Sequence, residues 1–240
     1  MTIYHPYTVF PLGDTALTIE FGNIIDEAVN DRVIRFFQVM KKGVYPFVLD
    51  LVPAYCSLTI YYDLVMLSEH VKEEETVFDW MVMFIENLAH TEAETVTEQG
   101  RMMEIPVCYS GNFAPDIAML ADVKGLSVEE VIRLHTAATY KIYMIGFLPG
   151  FAYMGQVDEQ IAFPRKAIPK PVVPGAVGIA GRQTGIYPLQ SPGGWQIIGR
   201  TPLALFNKQK DDPVYLQAGD RVRFHSITED EFTHYQGGSR

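Results

Sequence analysis

The sequence predicts an α+β protein in two parts, and three observations carry that expectation. Strand-like and helix-like patterns alternate through the first hundred residues. Two short helical segments then follow one another without a strand between them. Beyond them, Gly146 to Pro202 crowds glycine and proline at a density that helix interiors and central strands do not tolerate. Between those breakers stand Phe147, Phe151, Tyr153, Val177, Ile179, Tyr187, Trp195, Ile197 and Ile198, apolar enough for short strands around a compact core. The expected architecture is a small split β-α-β-β-α-β domain over residues 1–100 and a closed or nearly closed β-barrel with a helical insertion over residues 101–240.

Taken in order, Ala16 to Phe21 reads as a strand. Asp26 opens a helix whose Val29, Val33, Phe36, Phe37 and Met40 share one face, and Gly43 stops it. Val44 to Val52 and Ser57 to Tyr62 form a hairpin broken at Pro53. Val77, Trp80, Met81, Phe84, Ile85 and Leu88 follow a helical period, with Glu73, Glu74 and Glu75 placed to favour the helix dipole. Thr91 to Gly100 is a polar connection, and Arg101 to Tyr109 is a strand that either domain can claim. From Pro115 one helix ends near Gly125. The next starts at Ser127, with Glu130 at capping-box spacing and Leu126 and Val131 as a hydrophobic staple. Tyr140, Ile142 and Met144 alternate into the Gly/Pro-rich stretch, and short strands continue to Val222 and Phe224.

Composition narrows the function. In 240 residues, 48% are hydrophobic, enough for a core, and the net charge of −10 disfavours nucleic acid or an anionic membrane as partner. The N-terminus lacks the pattern of a secretory signal and no apolar run is long enough to span a bilayer, so a cytoplasmic location is expected. Cys56 and Cys108 lack CxxC spacing and read as structural thiols; no metal site is expected. There is no phosphate loop, dinucleotide fingerprint, nucleophile elbow or H-E-x-x-H motif.

The candidate site residues lie in or beside the central stretch. Arg165, Lys166, Lys170, Arg182 and Arg200 bring positive charge to an acidic protein, and the guanidinium fork of arginine matches a carboxylate or phosphate. Arg182 and Arg200 follow Gly181 and Gly199, where a backbone can approach a ligand; internal salt bridges are the structural alternative. Among six scattered histidines, His135 near the end of its helix is the one placed to reach this surface, although helix C-termini favour histidine for electrostatic reasons alone. Trp195 is either core or the wall of a pocket. Gln183 and Tyr187 can orient a polar substrate or support turns.

On GFLPGFAYMG at 146–155, FPRK at 163–166, VPGAVGIAGRQTGIYPLQSPGGWQIIGRTP at 173–202 and AGDRVRF at 218–224, the chain resembles the 5-oxoprolinase B-subunit family, also labelled allophanate hydrolase subunit 1. That family includes the sporulation histidine-kinase inhibitor of bacilli. Weaker likeness upstream, at LGD 12–14 and IPV 105–107, extends the resemblance over most of the chain. It implies a cyclophilin-like C-terminal barrel and kinship with the carboxyltransferase part of urea carboxylase. It further implies a polypeptide without activity of its own, which with the 5-oxoprolinase A- and C-subunits opens 5-oxo-L-proline to L-glutamate at the expense of ATP. On this reading Arg182, Arg200 and His135 are the catalytic candidates. Phe147, Pro149, Phe151, Tyr153, Arg165, Gln183, Tyr187 and Trp195 form the substrate or interface surface. ATP serves the complex, without a visible site in this chain. Pro169-Lys170-Pro171 and VPGAV depart from the family pattern, with lysine where arginine is usual, which weakens any bidentate contact at position 170. The alternatives are an inhibitor docking on a sensor histidine kinase and a component of urea or allophanate breakdown.

Overall fold

A computed structural model describes residues 7–72, 75–92 and 100–237. The chain divides into two compact units, Met1–Gln99 and Gly100–Arg240.

In the first unit, β1 (Thr8–Pro11), β2 (Ala16–Glu20), α1 (Glu27–Lys42), β3 (Val48–Pro53), β4 (Ser57–Tyr62), α2 (Leu64–Ser68) and α3 (Val77–Glu92) succeed one another. The strands form an antiparallel sheet in the order β1-β2-β4-β3. Alternation along β2 and β4 puts Leu17, Ile19, Leu58 and Ile60 in one cluster with Val33, Phe36 and Met40 of α1 and Met81 and Ile85 of α3. Asp26 caps α1 by accepting from the Ala28 and Val29 N–H groups. Both sheet edges are blunted. Pro11 and Pro53 offer no donor, and Asp50 Oδ1 takes the Leu51 N–H at 2.8 Å.

The second unit contains β5 (Met102–Cys108), α4 (Ile117–Lys124), α5 (Val128–Ala137), β6 (Thr139–Ile145), β7 (Ala152–Gly155), β8 (Lys170–Val172), β9 (Ala176–Ala180), β10 (Gln183–Ile186), β11 (Ser191–Gly193), β12 (Gln196–Arg200), β13 (Arg221–Ile227) and α6 (Glu229–Gly237). Seven strands close a barrel in the order β10-β7-β6-β13-β5-β12-β9, while β8 and β11 pair separately as a short ribbon. The α+β class and the closed barrel agree with the expectation from sequence. Helices α4 and α5 are the helical insertion, and Leu120, Ala121, Val131 and Leu134 join the core cluster that contains Ile105, Ile142, Ile179, Ile198 and Phe224 of the barrel.

Local boundaries depart from the sequence reading for identifiable reasons. The Arg101–Tyr109 run becomes β5, which pairs in parallel with β13 and belongs to the barrel. The fourth strand of the first sheet is instead β1, too short and proline-ended to announce itself by alternation. Strand β3 begins at Val48 because Tyr45 to Val48 is a turn closed by Val48 N–H on Tyr45 O, leaving Val44 exposed. Ser127 caps α5 as expected by accepting from Glu130 N–H, but the Glu130 carboxylate turns outward to Arg133. Of the acidic run before α3, Glu73 and Glu74 lie outside the described residues, as does most of the 91–100 connection.

Candidate functional site

The barrel's outer wall carries a second, smaller core. Along β9 and β10, Val177, Ile179, Thr184 and Ile186 point inward, so Gly178 and Gly185 between them face outward. The two glycines are register partners on adjacent strands and form a flat window. Trp195 lies against it: a Cβ on Gly185 would stand 2.9 Å from Trp195 Cζ3, and one on Gly178 3.0 Å from Trp195 Cβ. Phe151 meets Trp195 edge-on at 5.4 Å and Tyr187 at 5.0 Å, and Tyr153 meets Phe151 at 4.8 Å. The β8–β11 ribbon covers the cluster, with Gly193 so close to the Tyr187 hydroxyl that a Cβ there would come within 2.6 Å of it.

Two loops frame this cluster. Between β6 and β7, Leu148 N–H reaches Gly146 O at 2.8 Å around Phe147, whose φ is +67°. A γ-turn with positive φ at a bulky residue is strained. It holds the Phe147 ring 61% exposed, edge-on to Phe151 at 5.6 Å. Pro149 is exposed on the same loop. In the second loop Arg165 lays its guanidinium 5.9 Å from the Trp195 ring centroid. The adjacent Lys166 fixes that loop. Its N–H donates to Gly194 O, and its Nζ donates to Asp116 Oδ2, which also takes the Ile197 N–H at 2.6 Å. Burial raises the Tyr187 and Tyr153 hydroxyl pKa values, and the positive charge of Arg165 partly opposes this at both.

The other sequence candidates are not gathered here. Arg200 pairs with Ala176 at the start of β9, whereas Arg182 sits in the turn past Ala180 at its other end. Four strand residues, about 13 Å, separate those ends. Arg182 is exposed and meets Glu159 at 3.0 Å. Arg200 donates from Nε to Pro174 O and covers Phe232, so the two forks are engaged apart. Gln183, half-buried, begins β10 opposite Gly155.

His135 does not reach the surface; it is completely enclosed, because α5 is packed into the barrel core and carries the ring with it. Tyr109 Oη is 2.8 Å from its Nδ1, and Thr184 Oγ1 is 2.9 Å from its Nε2. Thr184 gives its own proton to Gly178 O, so it accepts from Nε2–H, and Nδ1 accepts from Tyr109. The ring also stacks on Phe224 at 4.6 Å. Burial lowers its pKa to about 3, which keeps it neutral as a structural hub.

Sequence reasoning passed over Asp116 and Thr184. Asp116 stands where an N-cap belongs, yet its side chain makes no cap bond and is spent on Lys166 and Ile197. The only signal was an aspartate at a helix start, which reads as an ordinary N-cap and which no local rule converts into a contact 50 residues away. The candidate site as built is a buried cluster of rings with Phe147 and the Arg165 guanidinium at its exposed edge. Among the described residues, no group of three or more His, Cys, Asp or Glu could hold a metal ion, and no helix is long and apolar enough to cross a membrane.

The class of this two-part chain, a barrel and a four-stranded sheet with its helices, is shown by its family: it is a carboxyltransferase-type protein. The model of the carboxyltransferase domain, subdomain C and D, matches residues 7–216. The chain is 42% identical over 232 residues to the 5-oxoprolinase B-subunit of Bacillus subtilis (strain 168), covering 96% of this chain and 97% of that protein. Against the 5-oxoprolinase B-subunit of Escherichia coli O157:H7 it is 38% identical, covering 89% and 93%. Among solved structures, TTHA0988 superposes with a TM-score of 0.76 at 34% identity over 92% of this chain, which spans only 40% of that longer chain. The chain belongs to the carboxyltransferase domain C and D family and, within it, to the 5-oxoprolinase B-subunit proteins.

Proposed function

We propose that this chain is the B-subunit of an ATP-dependent 5-oxoprolinase and acts with the A- and C-subunits to open 5-oxo-L-proline to L-glutamate. The observation that carries the reading is the near full-length identity with the Bacillus subtilis protein. The outer face is compatible with it: Phe147 and the Arg165 guanidinium are exposed beside the buried rings of Phe151, Tyr187 and Trp195. A lactam carbonyl is a poor electrophile, so phosphorylation of its oxygen by ATP before water attacks gives ATP a chemical role in the complex. At the glycine turn Ser110-Gly111-Asn112, Glu229 faces the backbone, and its Oε1 accepts from Ser110 Oγ at 2.9 Å. That carboxylate repels a phosphate at this turn, and in this proposal the nucleotide is held by a companion polypeptide of the complex.

Arg165, rather than Arg182 with Arg200, is the arginine in this proposal that meets an anionic group on the aromatic face. The test is ATP-dependent formation of glutamate from 5-oxo-L-proline by the purified A- and C-subunits with and without this chain. Conversion that requires all three is expected. No conversion by three folded and associated components would sink the reading.

A further inference from the structure

Arg165 and Trp195 face one another because their neighbours do. Gly194 O accepts the Lys166 N–H at 2.7 Å, and Gln196 Nε2 donates to Pro164 O at 3.0 Å. These bonds match 166 with 194 and 164 with 196, which leaves 165 opposite 195. One residue further back, Phe163 and Gly181 exchange both backbone bonds, at 3.1 and 2.7 Å. Phe163, Pro164 and Lys166 are thus all tied down. Arg165 between them is exposed, its guanidinium 5.9 Å from the Trp195 ring centroid, and among the described residues it forms no ion pair.

The longest of these ties comes from Asp116 at the start of α4. Its N–H donates to Ile197 O at 3.0 Å, and its Oδ2 takes the Ile197 N–H at 2.6 Å. The same oxygen takes Lys166 Nζ, with the two side chains only 14% and 15% exposed. A pair screened from water to this degree is held more firmly than a surface pair. Helix α4, strand β12 and the Arg165 loop therefore form one connected frame.

Such a frame has a chemical use. A free arginine side chain must be ordered when it binds, and one already held avoids that cost. Its planar fork takes a carboxylate in two parallel bonds, a contact that depends on orientation. From Gln160 to Lys210 the chain has no Asp or Glu, so this stretch supplies no carboxylate of its own. We infer that Asp116 and Lys166 are positioning residues, holding the Arg165 guanidinium over Trp195 to receive a carboxylate from outside the chain. This role rests on the proposed reading in which Arg165 meets an anionic group, the carboxylate being that of the substrate or of a companion subunit.

The test compares wild type with Asp116→Asn, Lys166→Met, Lys166→Arg and Ser127→Ala. Asp116→Asn keeps an acceptor for the Ile197 N–H and loses the charge. Ser127→Ala weakens the α5 cap and controls for lowered stability. In the isolated full chain, proton NMR reads the Arg165 side chain, assigned by its loss in Arg165→Gln, because the indole ring current moves protons over its face upfield. Asp116→Asn and Lys166→Met are expected to abolish that shift, and Lys166→Arg and Ser127→Ala to keep it. In the complex reconstituted with the A- and C-subunits, the same two variants are expected to raise KM for 5-oxo-L-proline, or Kd for the companions, by about three- to tenfold. There kcat stays within about twofold of wild type, and Lys166→Arg restores the affinity. A KM effect absent with 5-oxo-L-prolinamide, which lacks the carboxylate, assigns the contact to the substrate; an effect on Kd alone assigns it to a companion subunit. An upfield shift that survives both variants overturns the positioning role. A shift lost with KM and Kd within about twofold, or a KM effect as large for the amide, overturns the carboxylate contact and leaves the proposed function standing. Wild-type components that associate but do not convert substrate remove the proposed function, and the Kd comparison then decides the contact alone.

Discussion

Acid is expected to loosen the barrel through one residue. His135 is neutral in the folded chain with a pKa of about 3, while in the unfolded chain it has the ordinary value of about 6.5. The lowered folded pKa means that the unfolded state takes up the proton first as pH falls. The contribution of a neutral His135 is therefore intact above about pH 6.5 and declines by about 1.4 kcal/mol per pH unit below it, levelling off near pH 3. Between about pH 7.5 and about pH 4.5 the loss comes to about 2.7 kcal/mol. Carboxylates titrate over the same range, so the measurement is a difference between wild type and His135→Gln. At neutral pH the variant loses the stack on Phe224 and the tuned bonds to Tyr109 and Thr184, a cost of about 3 kcal/mol. Urea unfolding in a Trp80→Phe background, in which Trp195 alone reports on the barrel, gives both stabilities as a function of pH. The gap between the two proteins is expected to close almost completely by about pH 4.5. A gap that stays constant within about 0.5 kcal/mol would refute the assignment of His135 as a buried neutral hub.

The same fluorescence assay checks three further expectations. Lys166→Met leaves the Asp116 carboxylate, 15% exposed, with the Ile197 N–H but no cation, and is expected to cost about 3 kcal/mol. Gly185→Ala forces a methyl toward Trp195 Cζ3 and the Ala152 carbonyl, 2.9 and 3.0 Å away; the barrel is expected to lose about 1–3 kcal/mol, and an unchanged midpoint would deny the glycine window. Ser127→Ala removes the acceptor for Glu130 N–H and is expected to cost about 1 kcal/mol, with Ser127→Asp restoring most of it.

Much of the architecture is written locally. Asp26, Ser127 and Gly125 mark helix ends because capping and a left-handed stop involve residues only a few positions apart. The periods of α1, α3 and β4 are legible because one face of each is buried. The glycine and proline density of 146–202 likewise announces short, sharply turned strands, and the ordered motifs within it carry the family. Long-range pairing was not legible. Strand β5 closes the barrel by running parallel to β13, more than a hundred residues later, and nothing in Arg101 to Tyr109 distinguishes that partner from a neighbour in the first sheet. Five arginines and lysines in the central stretch look alike in sequence. Tertiary structure decided that Lys166 and Arg182 are consumed by ion pairs, that Arg200 lies at the far end of β9, and that Arg165 alone rests on the Trp195 ring. His135 was read as a helix-end residue near a surface, and the packing of α5 into the barrel made it interior. The reason is the same in each case: turns, caps and periodicity depend on neighbours along the chain, whereas the partner of a charge and the burial of a ring depend on which distant strands meet.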